Sequence, residues 1–361
     1  MADKKILVYV PPERMLWIEP VLADCVDIET SFDRSAVTSA EDRHKVVVDI
    51  LQSNSQVSVD EVLQYHREFD RIVLVNCETP ADIVSLLSAM DLPKVHFLTT
   101  GKINWRPQHM TVVEHENFFG AVQRLYHDDG YRMMSDLSPY TTKPYFFDAL
   151  LGNFKDSREY VYQRILAAGL QDKHIYLKYI KHQQRPLEEI INEGSFDWPT
   201  GAEVIPETNA DCWGTGEMVW FNGKGTASSC IVPVDIYNQC AYSIVTETRM
   251  VDDHIFITEK TAKCLIARRL FVMFAGPGYL RHLRSLGFQT FDNVIDESYD
   301  DEPDRVLRWS RAFDQVEYLL SRPQEEILEK CRPILEHNYQ LFTGRIWENE
   351  FHADIKKAVR L

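Results

Sequence analysis

The feature that most constrains the fold is an alternation of short apolar runs with segments of helical periodicity. Residues 5–10 (KILVYV), 71–76 (RIVLVN) and 94–98 (KVHFL) have the length and composition of buried strands. Residues 81–90, which lie between the second and third runs, repeat their apolar positions with the period of a helix. Strands that alternate with helices at this spacing predict a parallel sheet with crossover helices, and hence a Rossmann-like first domain.

The same alternation returns in the C-terminal half. Strands are predicted at residues 145–151, 242–246, 254–257 and 270–274, and helices at 157–168, 258–268, 279–286, 305–320, 325–339 and 348–359. Gly169 and Gly287 follow two of these helices, where glycine commonly ends a helix. Residues 184–225 lack a regular pattern, and we expect a loop or an insertion there.

The pattern breaks at residues 127–144, which we take as a linker between two domains. A chain of 361 residues is long enough for two cores. We therefore predict an N-terminal Rossmann-like domain over residues 1–140, a C-terminal Rossmann-like domain over 141–343, and a final helix over 344–361 that can pack back on the first domain. The predicted class is α/β, with two Rossmann-like domains that face a central cleft.

Charge and composition narrow the classes of partner. Lys and Arg number 39 and Asp and Glu 55, which gives a net charge of −16 and argues against a nucleic-acid or anionic-membrane binder. The 7 cysteines have irregular spacing and no C-x-x-C pair, which is typical of reduced thiols in a cytosolic protein. The sequence shows no signal-peptide pattern and no apolar run long enough to span a membrane, so we expect a cytoplasmic location.

Residues 256–278 (FITEKTAKCLIARRLFVMFAGPG) carry the most chemical information. Thr258 suits a helix N-cap, and Glu259 complements the positive end of the helix dipole. Lys260 opposes that dipole, a placement that is favourable if an anion binds there together with free backbone N–H groups. Glu259 would then accept hydrogen bonds from ribose hydroxyls. The alternative is an ordinary amphipathic helix with a Glu-Lys pair on its surface.

Neighbouring strand ends support the anion-binding interpretation. Parallel sheets place ligands at the carboxyl ends of their strands, and Ile257 is predicted to be such an end. Another strand ends at Glu247, and the strand at 270–274 ends in a turn whose residues Gly276 and Gly278 permit close approach of a ligand to the backbone. We expect these three strand ends to line one crevice that holds a nucleotide-sugar.

The same segment resembles the donor-binding domain of α-1,3-fucosyltransferase-like glycosyltransferases, which carries a Y-[IV]-T-E-K motif and then a P-V-V-L-G-P-like strand and turn. Residues 256–260 and 271–277 correspond to these two elements. Residues 246–248 (TET) stand where that family has F-E-N, and residues 155–160 (KDSREY) are similar to its arginine-bearing first helix. Residues 283–291 and 296–300 are similar to a viral and bacterial branch of such enzymes.

The resemblance implies a GT-B-like fold and a metal-independent, inverting transfer from a GDP- or UDP-sugar to a hydroxyl of a carbohydrate or glycoconjugate. By the same resemblance, Glu259 would hold the ribose, Lys260 and Arg158 would neutralise the diphosphate, and Glu247 would lie near the sugar or the ribose. Cationic side chains then take the place of a divalent ion at the departing diphosphate. No further cofactor is required.

An inverting transfer needs a general base, which we expect to come from the first domain. The candidates are Glu78, after the strand at 71–76, and Glu114 and Glu116, after residues 111–113. Each is alternatively a solvated carboxylate.

No metal site is predicted. The acidic pairs at residues 128–129 and 252–253 are only weakly similar to a metal-binding D-x-D motif, and residues 292–304 are expected to form a solvated acidic loop. Arg281 and His282 are either further phosphate ligands or the solvent face of their helix.

Two other functions remain open at this point. One is a non-catalytic module that binds a nucleotide or a glycan. The other is a sugar transferase that acts on modified bases in DNA, although the acidic composition makes a nucleic-acid partner unfavoured.

Overall fold

The computed structural model describes residues 5–12, 15–51, 58–76, 87, 89–104, 109–127, 136–152, 155–180, 205–208, 218–221, 224–227, 230–248 and 254–361. The chain forms two compact units, Met1–Asn117 with Trp347–Leu361, and Phe118–Ile346. Both contain a largely parallel sheet with helices, which confirms the prediction of two Rossmann-like α/β units. Within the described ranges, no helix combines the length and apolar character needed to cross a bilayer.

The first unit contains β1 (Ile6–Tyr9), α1 (Met15–Leu22), β2 (Ile28–Ser31), α2 (Arg34–Thr38), β3 (His44–Leu51), α3 (Val59–Glu68), β4 (Arg71–Asn76), β5 (Val95–Thr100), β6 (Lys102–Ile103) and β7 (Thr111–His115). Six of these strands form a sheet in the order β2-β1-β3-β4-β5-β7, and every pairing in it is parallel. The three predicted strands are present as β1, β4 and β5. The helix predicted at residues 81–90 lies mostly outside the described residues.

Both faces of the first sheet are buried. Leu7 and Tyr9 belong to one apolar cluster, whereas Ile6 and Val8 belong to another, as the two-residue period of a strand requires. The last helix of the chain, α11 (Trp347–Arg360), packs against the second cluster. The guanidinium of Arg71 donates a hydrogen bond of 2.8 Å to the carbonyl of Val359 and ties α11 to β4.

The second unit begins with α4 (Asn117–His127), β8 (Tyr145–Gly152), α5 (Asp156–Ala167), β9 (His174–Ile180), β10 (Ile205–Thr208), β11 (Met218–Phe221), β12 (Lys224–Ala227) and α6 (Val234–Tyr237). It continues with β13 (Cys240–Thr246), β14 (His254–Ile255), α7 (Glu259–Ile266), β15 (Phe271–Phe274), α8 (Tyr279–Ser285), α9 (Arg305–Leu320) and α10 (Gln324–Gly344). The helix boundaries at Gly169 and Gly287 are confirmed, because both glycines have positive φ just after α5 and α8.

The second sheet has the order β10-β9-β8-β13-β15. All its pairings are parallel except that of β10 with β9. Residues 184–225 were predicted to be a loop or an insertion, and where the chain is described they are not an irregular loop, because β10 lies at the sheet edge and β11 and β12 form an antiparallel pair. Pro206 in β10 is compatible with a strand because an edge strand leaves one set of backbone groups unpaired.

A buried ion pair fixes the register of β8 against β13. Asp148 lies opposite Ser243 across this pair of strands, and Arg269 donates to both side chains, at 2.6 Å and 2.8 Å. The same guanidinium donates to the backbone carbonyls of Tyr237, Cys240 and Tyr242. Because the arginine has several acceptors, its charge is compensated in the core.

The two compact units divide at residues 117 and 346. The linker expected at residues 127–144 therefore falls within the second unit, and part of it, residues 128–135, lies outside the described residues. The assignment of acceptor to the first domain and donor to the second stays a prediction.

Candidate functional site

The topology of the second sheet singles out the carboxyl ends of β8 and β13. After β8 the chain passes through α5 to β9 on one side, and after β13 it passes through α7 to β15 on the other. Ligands of open α/β sheets bind where successive connections diverge in this way. The predicted crevice of three strand ends is wrong in one member: β14 has only two residues and is not part of this sheet, and the neighbours of β13 are β8 and β15.

Two lysines converge on Thr248, just beyond the end of β13. Lys155, the residue that precedes α5, donates from Nζ to the backbone carbonyl of Thr248 at 3.0 Å. Lys260, in the first turn of α7, donates from Nζ to Thr248 Oγ1 at 3.4 Å and to Thr258 Oγ1 at 3.3 Å. We call Lys155 and Lys260 the lysine pair. Each stands at the positive end of a helix, where a cation is unfavourable unless an anion binds nearby.

Glu259 is buried beside the lysine pair. Its Oε1 atom accepts a hydrogen bond of 2.7 Å from Lys260 Nζ, and the Lys260 side chain is only 21% exposed. Burial alone would raise the pKa of Glu259, but Lys260 and Lys263 lower it to about 2. Glu259 is therefore a carboxylate at neutral pH, and the Lys260 ammonium does not lie in bulk solvent.

Arg158 adds a third cation at the same edge of the sheet. It is buried in the first turn of α5, three residues after Lys155. Its Nη1 atom lies 3.9 Å from the position that a Cβ atom at Gly152 would occupy. Gly152 ends β8 with φ of +59°, a left-handed conformation that favours glycine. Lys155, Arg158 and Lys260 thus gather cationic side chains around the ends of β8 and β13.

Thr258 caps α7 as predicted, since its Oγ1 accepts from the backbone N–H of Lys260 at 3.4 Å. Glu247 organises this region from inside the protein, where it is fully buried. Its Oε1 accepts from Thr258 N, Thr261 Oγ1 and Tyr279 Oη, and its Oε2 accepts from Thr258 Oγ1 and Thr248 N. These bonds join the end of β13 to the starts of α7 and α8. The predicted role of Glu247 near the sugar or ribose stays a prediction, and its visible role is to hold this edge together.

The glycine turn after β15 leads into α8, and a carboxylate of the protein itself binds the first turn of that helix. Gly278 has φ of 76° at the start of α8, as a tight turn requires, and Gly276 precedes it. The carboxylate of Asp300 accepts from the backbone N–H groups of Leu280 and Arg281, at 2.9 Å and 3.0 Å. The first turn of α8 is thus capped within the protein, and ligand binding by Gly276 and Gly278 stays a prediction.

Residues 292–304 were expected to form a solvated acidic loop, but two of their carboxylates lie inside the protein. Glu297 and Asp300 are both buried. Glu297 accepts from Thr290 Oγ1 and from the backbone of Phe291, at 2.6 Å and 2.7 Å. On the neighbouring helix, Arg281 is 68% exposed and pairs with Asp301, so it lies on the solvent face.

The candidate general bases lie in the first unit. Glu114 is exposed in β7, and its Oε1 accepts from the backbone N–H of Ile103 at 3.1 Å. Glu116 is half-buried just after that strand, and Glu78 lies outside the described residues. Between the first two, His115 is buried against the ring of Phe351, and burial lowers its pKa to about 3. The base therefore stays a prediction.

The expectation that no metal is bound stays a prediction. In the part of the chain that the structure describes, no group of three His, Cys, Asp or Glu side chains is placed to hold a metal ion. The acidic pairs at residues 128–129 and 252–253 lie outside the described residues.

Sequence reasoning gave no role to Lys155, Thr248 or Lys263. Lys155 carried a usable signal, because it occupies the N-cap position of α5, where Ser, Thr, Asp or Asn is preferred and a cation is not. The same anomaly singled out Lys260. Thr248 and Lys263 carried no such signal, because their importance depends on which side chains the fold brings to them.

Comparison with known proteins gives one structural likeness. No model of a protein family matches the chain, and no curated protein matches it. Among solved structures, the chain is similar to the DNA-modifying enzyme beta-glucosyltransferase, whose crystal structure was determined in the presence and absence of its substrate uridine diphosphoglucose. The alignment covers 99% of each chain with 10% identity and a TM-score of 0.39. At this level of similarity, function has to be inferred from the site itself.

Proposed function

We propose that the chain is a glycosyltransferase whose second unit binds a nucleoside-diphosphate sugar through the lysine pair and Arg158. The observation that carries this proposal is the convergence of Lys155 and Lys260 on Thr248 at the divergence point of a parallel sheet. Two ammonium groups that bind the same threonine repel each other, and a diphosphate between them would relieve that repulsion. The resemblance to α-1,3-fucosyltransferase-like enzymes supports the same interpretation.

The charges suit a departing diphosphate. Lys155, Arg158 and Lys260 supply three cations, and Glu259 neutralises part of that charge. Fixed cations stabilise the negative charge that develops as the glycosidic bond to the diphosphate breaks. The reaction we propose is therefore metal-independent, with GDP- or UDP-sugars as donors and a hexose or fucose as the transferred group.

Glu259 is suited to the ribose of the donor. Its Oε1 is bound by Lys260, whereas Oε2 makes no hydrogen bond to another residue in the described ranges. An ionised carboxylate accepts strong hydrogen bonds from hydroxyl groups. Diphosphate on Lys260 and ribose on Glu259 would place two adjacent parts of one nucleotide on two adjacent residues.

Calorimetry with UDP and GDP tests donor binding. Lys260→Ala and Glu259→Ala should each lower the affinity for the preferred nucleotide by roughly tenfold to a hundredfold, because each variant loses a charge-assisted hydrogen bond to it. Lys330→Ala is the matched control, since this lysine pairs with Glu326 on an exposed helix face. Circular dichroism checks that each variant folds. Unchanged affinity in both site variants would contradict the proposal.

Turnover separates an enzyme from a binding module. The enzyme should release nucleoside diphosphate slowly from its sugar donor by hydrolysis and faster with an acceptor, and excess EDTA should leave the rate unchanged. Tight nucleotide binding without any release would favour the non-catalytic module. Glu114→Gln, Glu116→Gln and Glu78→Gln, compared for rate at equal donor affinity, identify which carboxylate serves as base.

The acceptor follows from a second assay. Our proposal is a hydroxyl group on a carbohydrate or glycoconjugate, which the net charge of −16 favours over a polyanion. The alternative acceptor, which the sequence leaves open, is a modified base in DNA. Transfer of radiolabelled sugar to a duplex with hydroxymethylated pyrimidines, compared with transfer to an oligosaccharide panel, distinguishes the two.

A further inference from the structure

Lys263 is a buried lysine next to the proposed donor site. It lies on α7 one turn after Glu259, and only 6% of its surface is exposed. Within the described ranges, its ammonium has no hydrogen-bond or ion-pair partner. Its charged neighbours are Glu259 and Asp148, which attract it, and Lys260, which repels it; Asp148 is itself paired with Arg269.

A lysine in this environment is costly to the fold. Burial lowers the pKa of Lys263, and the attraction of Glu259 only partly opposes that shift. Most buried ammonium groups are paired because desolvation without a compensating partner costs several kcal/mol, roughly. An acceptor oxygen supplied by a ligand would provide the partner that the described residues do not.

The position of Lys263 indicates which part of a nucleotide would supply that oxygen. Residues four apart share one face of a helix, and the rise along the axis between them is about 6 Å. Lys260 stands in the first turn of α7, Lys155 reaches the same Thr248 from the start of α5, and Glu259 is the first residue of α7. If the diphosphate is at the mouth and the ribose on Glu259, the base is the part that extends toward Lys263 and its neighbour Cys230.

We propose that Lys263 donates a hydrogen bond to a carbonyl oxygen of the base and so selects keto bases. This inference rests on the proposed nucleotide-sugar function. An ammonium group only donates. It therefore pairs with O4 of uracil or O6 of guanine, but it faces another donor at the amino group of cytosine or adenine.

The test uses two matched pairs of nucleotides, UDP with CDP and IDP with ADP, in which a carbonyl replaces an amino group on the same ring. Calorimetry of the full-length protein should show the keto member bound about tenfold or more tightly in at least one pair. Lys263→Met should lower the affinity for the keto nucleotide alone, so that the two nucleotides of a pair bind with nearly equal affinity. Lys330→Met, on the exposed face of α10, should leave the ratio of the two affinities unchanged.

Several results would overturn the inference. They are an unchanged ratio in Lys263→Met, an equal loss for both members of a pair, or a wild-type protein without keto preference. Failure of the wild-type protein to bind any of these four nucleotides or GDP would instead refute the proposed function. If Lys263→Met does not fold, acetylation of the wild-type protein decides: UDP or IDP should protect Lys263 more than CDP or ADP does, and equal reactivity contradicts the proposal.

Discussion

Replacement of Glu247 by Gln separates the scaffold of the site from its ligand-binding groups. The carboxylate is fully buried and accepts from Thr258, Thr261, Tyr279 and Thr248. A glutamine has one acceptor oxygen and one donor NH2 group. Whichever way the amide turns, its NH2 group meets donors that previously bound an oxygen.

The structure gives the size of the loss. The less costly orientation places the NH2 group at Oε2, which accepts from Thr258 Oγ1 at 2.7 Å and from Thr248 N at 3.3 Å. A hydrogen bond to a charged group contributes about 1.5–3 kcal/mol, so two such bonds amount to roughly 3–6 kcal/mol. That loss is a large part of the free energy of unfolding of a typical native protein, which is about 5–15 kcal/mol.

Urea unfolding followed by circular dichroism and tryptophan fluorescence measures the effect, with Glu325→Gln on the exposed first turn of α10 as the matched control. We expect Glu247→Gln to shift the transition of the second unit strongly and the control not to shift it. Tyr279→Phe removes one hydrogen-bond donor to Glu247, and its unfolding transition should shift by an amount between those of Glu247→Gln and the control. A Glu247→Gln variant with normal stability and lost nucleotide affinity would refute this reasoning, because the carboxylate would then be a ligand group.

Three further predictions follow from buried or strained groups. Arg269→Met should lower the free energy of unfolding by about 3–5 kcal/mol in urea titrations, because Asp148 is left buried without its cation. Gly152→Ala should cost about 1–2 kcal/mol in the same assay, because φ there is +59°. Burial lowers the pKa of His115 to about 3 and that of His174 to about 4. Below about pH 6.5, these histidines therefore bind protons in the unfolded chain but stay neutral in the folded chain. The free energy of unfolding should fall as the pH is lowered toward the folded-state pKa values. In His115→Phe, the melting temperature of the first unit should fall less steeply as the pH is lowered. An unchanged pH dependence would contradict the conclusion that burial of His115 lowers its pKa.

Periodicity predicted the regular parts of the fold well, because apolar runs such as those of β1, β4 and β13 are dictated by burial on both sheet faces. It failed for β2, whose sequence IETS is half-buried and mostly polar. Residues 254–257 were apolar enough to predict a sheet strand, but only two of them form one. An apolar run shows that a segment is buried and does not show which strands are its neighbours.

The site was predictable where a residue type conflicted with its local position. Lys260 at the start of α7 is such a conflict, and Lys155 at the start of α5 is a second. Glu247 carried no comparable signal, since its five hydrogen bonds join segments up to 32 residues apart. Asp300 was likewise invisible as the cap of α8, because a cap supplied from 20 residues away leaves no local motif.

The central claim is that the lysine pair holds a diphosphate, and the affinity of the nucleoside diphosphate relative to its nucleoside tests it most directly. We expect the wild-type protein to bind UDP or GDP far more tightly than uridine or guanosine. In the double variant Lys155→Met/Lys260→Met, that ratio should fall by about a hundredfold or more while the nucleoside affinity stays the same. An unchanged ratio would show that the diphosphate binds elsewhere and would contradict the account.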